Sequence, residues 1–223
     1  MVRVIIIAPA PIIRTGVRAV LHDVPDLAIA GVTGNLATAR RWTLTRPPDV
    51  LLLAWLAPDP RLLTLLHWVR RHAPQTTALV LVTQCDDGAL ALLVSAGAAA
   101  CLSLEQDAAA LVHAIRRAAR PGWRSDPAQC ALAQRWQAEV GGRWRRLTRQ
   151  ERRVARMLAH GQDARTIAAT LGVSPKTIEY HLSHLLAKLE CASRLEAALW
   201  VRTHVPLALL DADVHEDDRR GRG

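Results

Sequence analysis

The sequence has no phenylalanine, a single tyrosine and few cysteines. Its four cysteines are scattered, with no C-x-x-C pair and no Cys/His metal spacing; they are Cys85, Cys101, Cys130 and Cys191. That distribution argues against a disulfide framework or a zinc site and fits reduced thiols in the cytosol. Internal repeats and low-complexity tracts are absent as well.

Long apolar runs and enzyme motifs are also missing. No stretch approaches the roughly 20 apolar residues that span a bilayer, and Met1 leads directly into a short β-like run. We therefore expect a cytoplasmic protein with no membrane partner. The chain has no Walker loop, no G-x-S-x-G and no clustered carboxylate pair. We accordingly expect no catalytic residues, no bound metal and no cofactor.

The composition supports two modest globular domains. Half of the 223 residues are hydrophobic, so each domain can bury a core. The formal net charge is +9 and the pI is near 10.8. Such a charge suits a polyanionic partner, although basicity alone identifies none.

β-like and helical stretches alternate five times over residues 1–120. Short β-branched runs such as VRVIIIA are typical of buried parallel strands, and a helical stretch follows each run. This alternation predicts a flavodoxin-like α/β domain with a doubly wound, five-stranded parallel sheet. The expected strands are 2–8, 27–32, 49–55, 77–83 and 98–102, and the expected helices are 11–23, 36–45, 61–72, 86–96 and 105–119.

Residues 147–205 predict a small all-α domain of four helices. Thr148 and Glu151 have the T-x-x-E spacing of a capping box at the first helix. Gly172-Val173-Ser174 forms a turn after the second helix. Its serine can cap a third helix that begins at Pro175, where a missing N–H is tolerated.

The third helix combines a buried stripe with a polar face. Its apolar residues recur at i, i+4, i+7, i+8 and i+11; they are Ile178, Leu182, Leu185, Leu186 and Leu189. A helix, a glycine-containing turn and a second helix with an outward polar face form a helix-turn-helix unit.

Four runs with fixed spacing span residues 147–189. They are Leu147-Thr148-x-x-Glu151, Ile167-Ala168-x-x-Leu171, Val173-Ser174-x-x-Thr177-Ile178 and His181-Leu182-x-x-Leu185-x-x-Lys188-Leu189. The LuxR/NarL-type DNA-binding domain carries the same runs, and this segment closely resembles it. With five βα units ahead of it, the chain resembles a LuxR/NarL-type response regulator. The resemblance implies a sequence-specific transcriptional regulator that binds double-stranded DNA.

The resemblance places the third helix in the major groove, where each base pair presents a distinct hydrogen-bonding pattern. It implies base contacts from Glu179, Tyr180 and Ser183, with His184 on the same polar face. It implies phosphate contacts from Ser174, Lys176, Thr177 and Lys188. Two alternatives stay open for Glu179, which either accepts from cytosine N4 or pairs with one of the two lysines and points away.

The resemblance also implies a homodimer on a roughly palindromic operator. Family members pair through the helix expected at 193–203, and Trp200 belongs either to that interface or to the core of each monomer. RNA polymerase and a small-molecule or protein effector are further partners that the family admits.

The linker at residues 121–146 has an expected helix at 127–140 and an expected flexible joint at Gly141-Gly142. Three arginines surround Trp144, and they form either a solvated linker with one packed tryptophan or an extra contact to the DNA backbone. Residues 206–223 are rich in charge and glycine, and we expect a disordered charged tail there.

The resemblance to a receiver domain ends at the phosphorylation pocket. A working receiver holds Mg²⁺ with an acidic pair after its first strand, because this ion prefers oxygen ligands. It accepts the phosphoryl group on an Asp that ends the third strand. Here the acidic pair is replaced by Ala8-Pro9-Ala10 and the acceptor by Ala54. Asp59 lies beyond the strand end, and we expect it to begin the next helix.

The residues that read the phosphate in a receiver are replaced too. The lysine position is Leu104, the hydroxyl position is Val82 or Thr83, and the aromatic switch position is Cys101. We therefore expect residues 1–120 to be a pseudo-receiver that keeps the fold without phosphorylation and serves dimerisation or the sensing of an effector or partner.

Two other functions fit parts of the sequence. An interaction module would titrate other regulators while binding DNA weakly, but the nearly complete polar face of the third helix argues against it. A sigma-factor-like promoter subunit has a helix-turn-helix of similar spacing, but the α/β domain ahead of it argues against that alternative.

Overall fold

The computed structural model describes residues 1–83 and 85–206. The chain divides into two compact units, Met1–Gln134 and Arg135–Gly223. Almost all of the tail predicted at 206–223 lies outside the described residues. Within those residues, every helix is too short or too polar to cross a bilayer.

In the first unit, strands and helices alternate in the predicted order. The strands are β1 (Val2–Ile7), β2 (Leu27–Thr33), β3 (Val50–Ala54), β4 (Thr77–Val82) and β5 (Ala100–Ser103). The helices are α1 (Pro11–His22), α2 (Leu36–Thr45), α3 (Pro60–His72), α4 (Asp87–Ala96) and α5 (Ala108–Ala118). α5 begins three residues later than expected, because the Asp107 side chain caps it by accepting from the Ala110 N–H at 2.6 Å.

The five strands form one parallel sheet in the order β2-β1-β3-β4-β5. Central strand β3 is buried along its whole length. One face of the sheet packs against α2, α3 and α4, and the other packs against α1 and α5. This topology confirms the predicted flavodoxin-like, doubly wound fold.

The outer edge of β5 is covered by the start of the next helix, α6 (Pro127–Trp136). The Asp126 N–H donates to the Ala99 carbonyl at 2.8 Å. The Gln129 side chain then acts like a short strand, since Oε1 accepts from the Cys101 N–H at 2.7 Å and Nε2 donates to the Cys101 carbonyl at 2.8 Å. The edge groups that would otherwise template another strand are therefore satisfied.

The expected flexible joint at Gly141-Gly142 is wrong. α6 runs into a π-helical turn (Gln137–Gly141) and then α7 (Gly142–Arg146), and both glycines have helical backbone angles. Gly141 is buried, and a Cβ there would lie 2.6 Å from Gln137 Oε1 and 3.0 Å from the Trp136 ring. The glycine therefore serves close packing, which a sequence pattern does not distinguish from flexibility.

The second unit contains the four predicted helices. They are α8 (Arg149–Ala159), α9 (Ala164–Leu171), α10 (Pro175–Leu189) and α11 (Arg194–His204). The predicted capping box is present: the Thr148 hydroxyl accepts from the Glu151 N–H, and the Glu151 carboxylate accepts from the Thr148 N–H at 2.6 Å. Trp144 of α7 joins their common core and is only 3% exposed.

Replacing Trp144 with alanine tests whether this part of the predicted linker belongs to the core. We expect Trp144→Ala to lower the stability of the second unit by about 3–5 kcal/mol, because truncating a buried aromatic leaves a cavity. Hydrogen exchange of peptides from α8 to α11, followed by mass spectrometry, measures the loss. Arg165→Ala is the control, since Arg165 is exposed on α9. Equal protection in both variants would place Trp144 outside the core.

Candidate nucleic-acid interface

α10 is fixed to the second unit by one apolar stripe. Ile178, Leu182, Leu185 and Leu189 are at most 2% exposed, whereas the predicted stripe residue Leu186 is only half-buried. The turn ahead of α10 depends on Gly172, whose φ of 66° disfavours a side chain. Anchoring of one side of the helix leaves the opposite side free for a partner.

Seven of the eight predicted DNA-binding residues lie at the start or on the outward half of α10. Ser174, Lys176, Glu179, Tyr180 and Ser183 are exposed, and Thr177 and His184 are half-buried. The Ser174 hydroxyl caps the helix by accepting from the Thr177 N–H at 3.1 Å. The Tyr180 ring, 62% exposed, meets the His184 ring edge-on at 4.2 Å. The structure thus groups these side chains on one polar surface.

Glu179 pairs with a residue that the sequence analysis did not consider. Its Oε2 accepts from Arg194 Nη2 at 2.6 Å, and both side chains are about half exposed. The expectation of a pair with Lys176 or Lys188 is therefore wrong. Arg194 starts α11, fifteen positions away, so no local spacing rule could have identified it.

Lys188 is the predicted DNA contact that the structure places elsewhere. Its Nζ donates to both Glu151 oxygens, at 2.8 and 2.7 Å, and the Glu151 side chain is only 5% exposed. Burial alone would raise the pKa of Glu151, but hydrogen bonds from Lys188 and Thr148 outweigh it and hold the pKa below the ordinary 4.5. Lys188 thus neutralises a nearly buried carboxylate and links the end of α10 to the start of α8.

The arginines around Trp144 also have partners within the second unit. Arg143 and Arg146 pair with the two oxygens of Glu190, at 2.8 and 3.1 Å. Glu190 ends α10 with a positive φ of 59°, which is uncommon for a residue with a side chain. Neither alternative given for these arginines anticipated that two of them hold the end of α10.

The ends of β1 and β3 in the first unit are apolar. Ala8 and Ala54 are fully buried where β1 and β3 end. The hydroxyl position stays ambiguous, because β4 ends at buried Val82 and Thr83 is half-buried in the next position. Asp59 caps α3, since its side chain accepts from the Leu62 N–H at 2.8 Å. That role confirms the expectation that it begins the next helix.

A cationic side chain lies beside the missing acidic pair. Arg14 Nη1 donates to the Ala8 carbonyl at 2.6 Å and to the Pro9 carbonyl at 3.3 Å. Gly34 leaves room for this guanidinium, since a Cβ there would lie 2.5 Å from Nη1. Arg14 had no distinctive signal in the sequence, because one arginine in an amphipathic helix is common.

Comparison with known proteins assigns the family. Residues 145–201 match the model described as bacterial regulatory proteins, luxR family. The transcriptional regulatory protein UhpA of Salmonella typhimurium is 32% identical over 199 residues, which cover 89% of this chain and 96% of UhpA. The chain belongs to the LuxR/NarL-type response regulators. Membership of this family makes the chain a DNA-binding transcriptional regulator.

Other members of the family match this response regulator along nearly its whole length. LiaR of Bacillus subtilis is 26% identical over 209 residues, covering 92% of this chain and 99% of LiaR. The fold matches RcsB of Salmonella enterica serovar Typhimurium, solved bound to the promoter P1flhDC. That match has a TM-score of 0.57 at 20% identity, covering 90% of this chain and 97% of RcsB.

A response regulator of this fold implies a Mg²⁺ ion in its receiver, and the residues present do not fit one. The positions that would supply carboxylates are Ala8-Pro9-Ala10 and Ala54. Within residues 1–83 and 85–206, no three His, Cys, Asp or Glu side chains cluster so as to hold a metal. The Arg14 guanidinium also occupies the Ala8 and Pro9 carbonyls. We derive no chemistry through magnesium in this regulator.

The Lys188–Glu151 pair predicts a specific response to acid. The pKa of Glu151 is lower in the folded state, so its ionisation stabilises the fold above the ordinary value of 4.5, and this contribution is lost as the pH falls through the folded pKa. Removing the ammonium takes away one of the groups that lower the pKa of Glu151, so this pKa should rise. We expect Lys188→Met to cost about 2 kcal/mol near pH 7 and to shift the acid-induced loss of stability to higher pH.

Thermal unfolding followed by circular dichroism, from neutral pH down to roughly pH 3.5, measures both effects. Lys176→Met is the matched control, because Lys176 lies on the same helix and is exposed. If both variants lose the same stability at every pH, the pair does not hold α10 in place.

Proposed function

We propose that this regulator reads DNA through the outward face of α10 and works without aspartyl phosphorylation. The geometry of α10 supports the proposal that this helix reads DNA. The residues of its apolar stripe are at most 2% exposed, and its opposite side carries a polar strip from Ser174 to His184. A helix held this way can enter the major groove without rearranging its own core.

The proposed DNA contacts fall into two groups by their position along α10. Ser174, Lys176 and Thr177 are at the start of α10, where the positive end of the helix dipole favours a phosphate. Glu179, Tyr180 and Ser183 lie further along, where side chains meet base edges. The Lys188 ammonium is engaged by Glu151, so we assign Lys188 to the fold and leave it out of the proposed interface.

A homodimer is part of this proposal. Leu195 and Leu199 on α11 are 80% and 60% exposed, whereas Trp200 packs against the core of its own unit. We therefore assign Trp200 to the monomer core and the two leucines to the pairing surface. RcsB has been solved as two dimers bound to two parallel DNAs, and a dimer here would read two half-sites of a roughly palindromic operator.

The residues at the strand ends of the first unit support phosphorylation independence. The acceptor position Ala54 has no oxygen to phosphorylate, and the positions that would bind the metal are Ala8-Pro9-Ala10. Replacing one position would not restore the chemistry, because the acceptor and the metal ligands are lost together. We infer that the first unit contributes dimerisation or the sensing of an effector or partner.

The salt dependence of DNA binding tests the proposed interface. The full chain, with no phosphodonor, is titrated onto a site selected in vitro and onto random DNA at several salt concentrations. We expect Lys176→Ala to weaken binding to both DNAs by roughly threefold to tenfold and to reduce the salt slope by about 1, as the loss of one phosphate contact requires.

Arg18→Ala is the matched control, since it removes one exposed charge from the first unit. Its affinity and salt slope should stay at the wild-type values. A full chain that binds the selected site no better than random DNA would contradict the regulator proposal and favour an interaction module.

The proposed phosphorylation independence predicts that a phosphodonor has no effect on this chain. Incubation with acetyl phosphate should leave the DNA affinity of the wild-type chain unchanged, and Phos-tag electrophoresis should detect no phosphoprotein. Ala54→Asp should behave the same way, because Ala8-Pro9-Ala10 still offers no carboxylate to the metal. A phosphorylated wild-type chain, or an Ala54→Asp variant that gains a hydroxylamine-labile phosphate, would overturn this half of the proposal.

A further inference from the structure

Two cysteines line one cavity beside β4 and β5. Cys85 follows β4 and Cys101 lies within β5, and both line one cavity of about 240 Å³. A water molecule takes about 30 Å³ in the liquid, so a small peroxide fits. Thr83, Ser103 and Gln129 give the cavity a polar rim. It lies where the sequence analysis placed the hydroxyl and aromatic switch positions of a receiver.

The two cysteines differ in exposure and in acidity. Cys85 is exposed, whereas Cys101 is 7% exposed. Interaction with the Cys101 side chain lowers the pKa of the Cys85 thiol, against opposing effects from burial and from Asp86 and Asp87. Interaction with Cys85 and burial raise the pKa of Cys101 well above its ordinary value. An accessible, more acidic thiol beside a buried one is the arrangement of an attacking and a resolving cysteine.

The other two cysteines have different surroundings. The Cys130 thiol donates to the Ser125 hydroxyl at 3.2 Å. The Cys191 thiol faces the Leu189 carbonyl at 3.7 Å, and burial raises its pKa. Neither lines the cavity that Cys85 and Cys101 share.

We propose that Cys85 and Cys101 form a peroxide-reactive dithiol that closes reversibly to a disulfide. The Cys85 thiolate attacks the terminal oxygen of a hydroperoxide, the O–O bond breaks, and the alcohol or water leaves as Cys85 becomes a sulfenic acid. The Cys101 sulfur then attacks the Cys85 sulfur, the S–O bond breaks, and the oxygen leaves as water with the Cys101 proton. Two thiols and one hydroperoxide thus give one disulfide, one alcohol or water, and one further water.

Oxidation at this site would affect other parts of the first unit, because Cys101 is hydrogen-bonded to the start of α6. Cys101 is the residue whose backbone N–H and carbonyl are both held by the Gln129 side chain. Gln129 belongs to the first turn of α6, which Asp126 caps through the Ala128 and Gln129 N–H groups. A bond between Cys101 and Cys85 therefore acts on the strand residue to which α6 is attached.

The test uses the full chain with Cys130→Ser and Cys191→Ser, so that only the two proposed cysteines remain. Hydrogen peroxide is added in stoichiometric steps, and the products are read by intact-mass and peptide mass spectrometry. We expect loss of two hydrogens, a cross-linked peptide pair containing Cys85 and Cys101, and full reversal by dithiothreitol. Amide exchange of the peptide around Gln129 should change on oxidation and recover on reduction.

Two further variants separate the roles. Cys101→Ser should stop at a sulfenic acid on Cys85 that dimedone traps, and Cys101→Ala replaces it if the serine variant is unfolded by circular dichroism. Cys85→Ser should react at least tenfold more slowly, because the buried thiol has little thiolate. The proposal would be overturned if peroxide overoxidised the cysteines without forming a cross-link. It would also be overturned if Cys85 were no more reactive than Cys130 and Cys191 in the wild-type chain. These readouts need no DNA, so they stand apart from the proposed DNA-binding function.

Discussion

The orientation of α10 depends on one nearly buried carboxylate. Glu151 closes the capping box of α8 with Thr148, and both of its carboxylate oxygens also accept from Lys188, at the far end of α10. An unpaired charge at this depth is costly, so the two helices have little freedom to separate. Glu190, held by Arg143 and Arg146, fixes the same end of α10 from α7. Ion pairs at the C-terminal end of α10 thus hold the orientation of this helix within the second unit.

The sequence predicted the features that depend on neighbouring residues. The capping box, the Gly172 turn and the alternating strands are governed by spacings of a few positions, so the fold followed from the pattern. The pairs that hold the interface join distant residues, such as Glu179 with Arg194 and Glu151 with Lys188. The periodicity of a helix cannot identify such partners, because many charged residues in the sequence fit the same spacing equally well. The same limit explains the error at Gly141, where packing and flexibility use the same residue.

The first unit keeps the sheet of a receiver while its charges are rearranged. Where a receiver gathers carboxylates around a cation, this chain has buried alanines at the strand ends and a guanidinium on the Ala8 and Pro9 carbonyls. On the other side of the sheet, Cys101 lies in β5 and the Gln129 side chain holds its backbone. A signal that altered β5 would reach α6 without phosphate, and the dithiol proposal supplies one such signal.

The Glu179–Arg194 pair bears on the proposed contact between Glu179 and cytosine N4. Its side chains are about half exposed, so the pair is worth about 0–1 kcal/mol, whereas a well-placed base contact contributes about 1–3 kcal/mol. We propose that Glu179 exchanges Arg194 for a cytosine N4 donor at a matching site. At other sites the carboxylate would keep Arg194, which offsets its repulsion from the phosphates but adds no base contact. Specificity at this position would then come from the difference between two accessible states, with the Arg194 pair as the reference state.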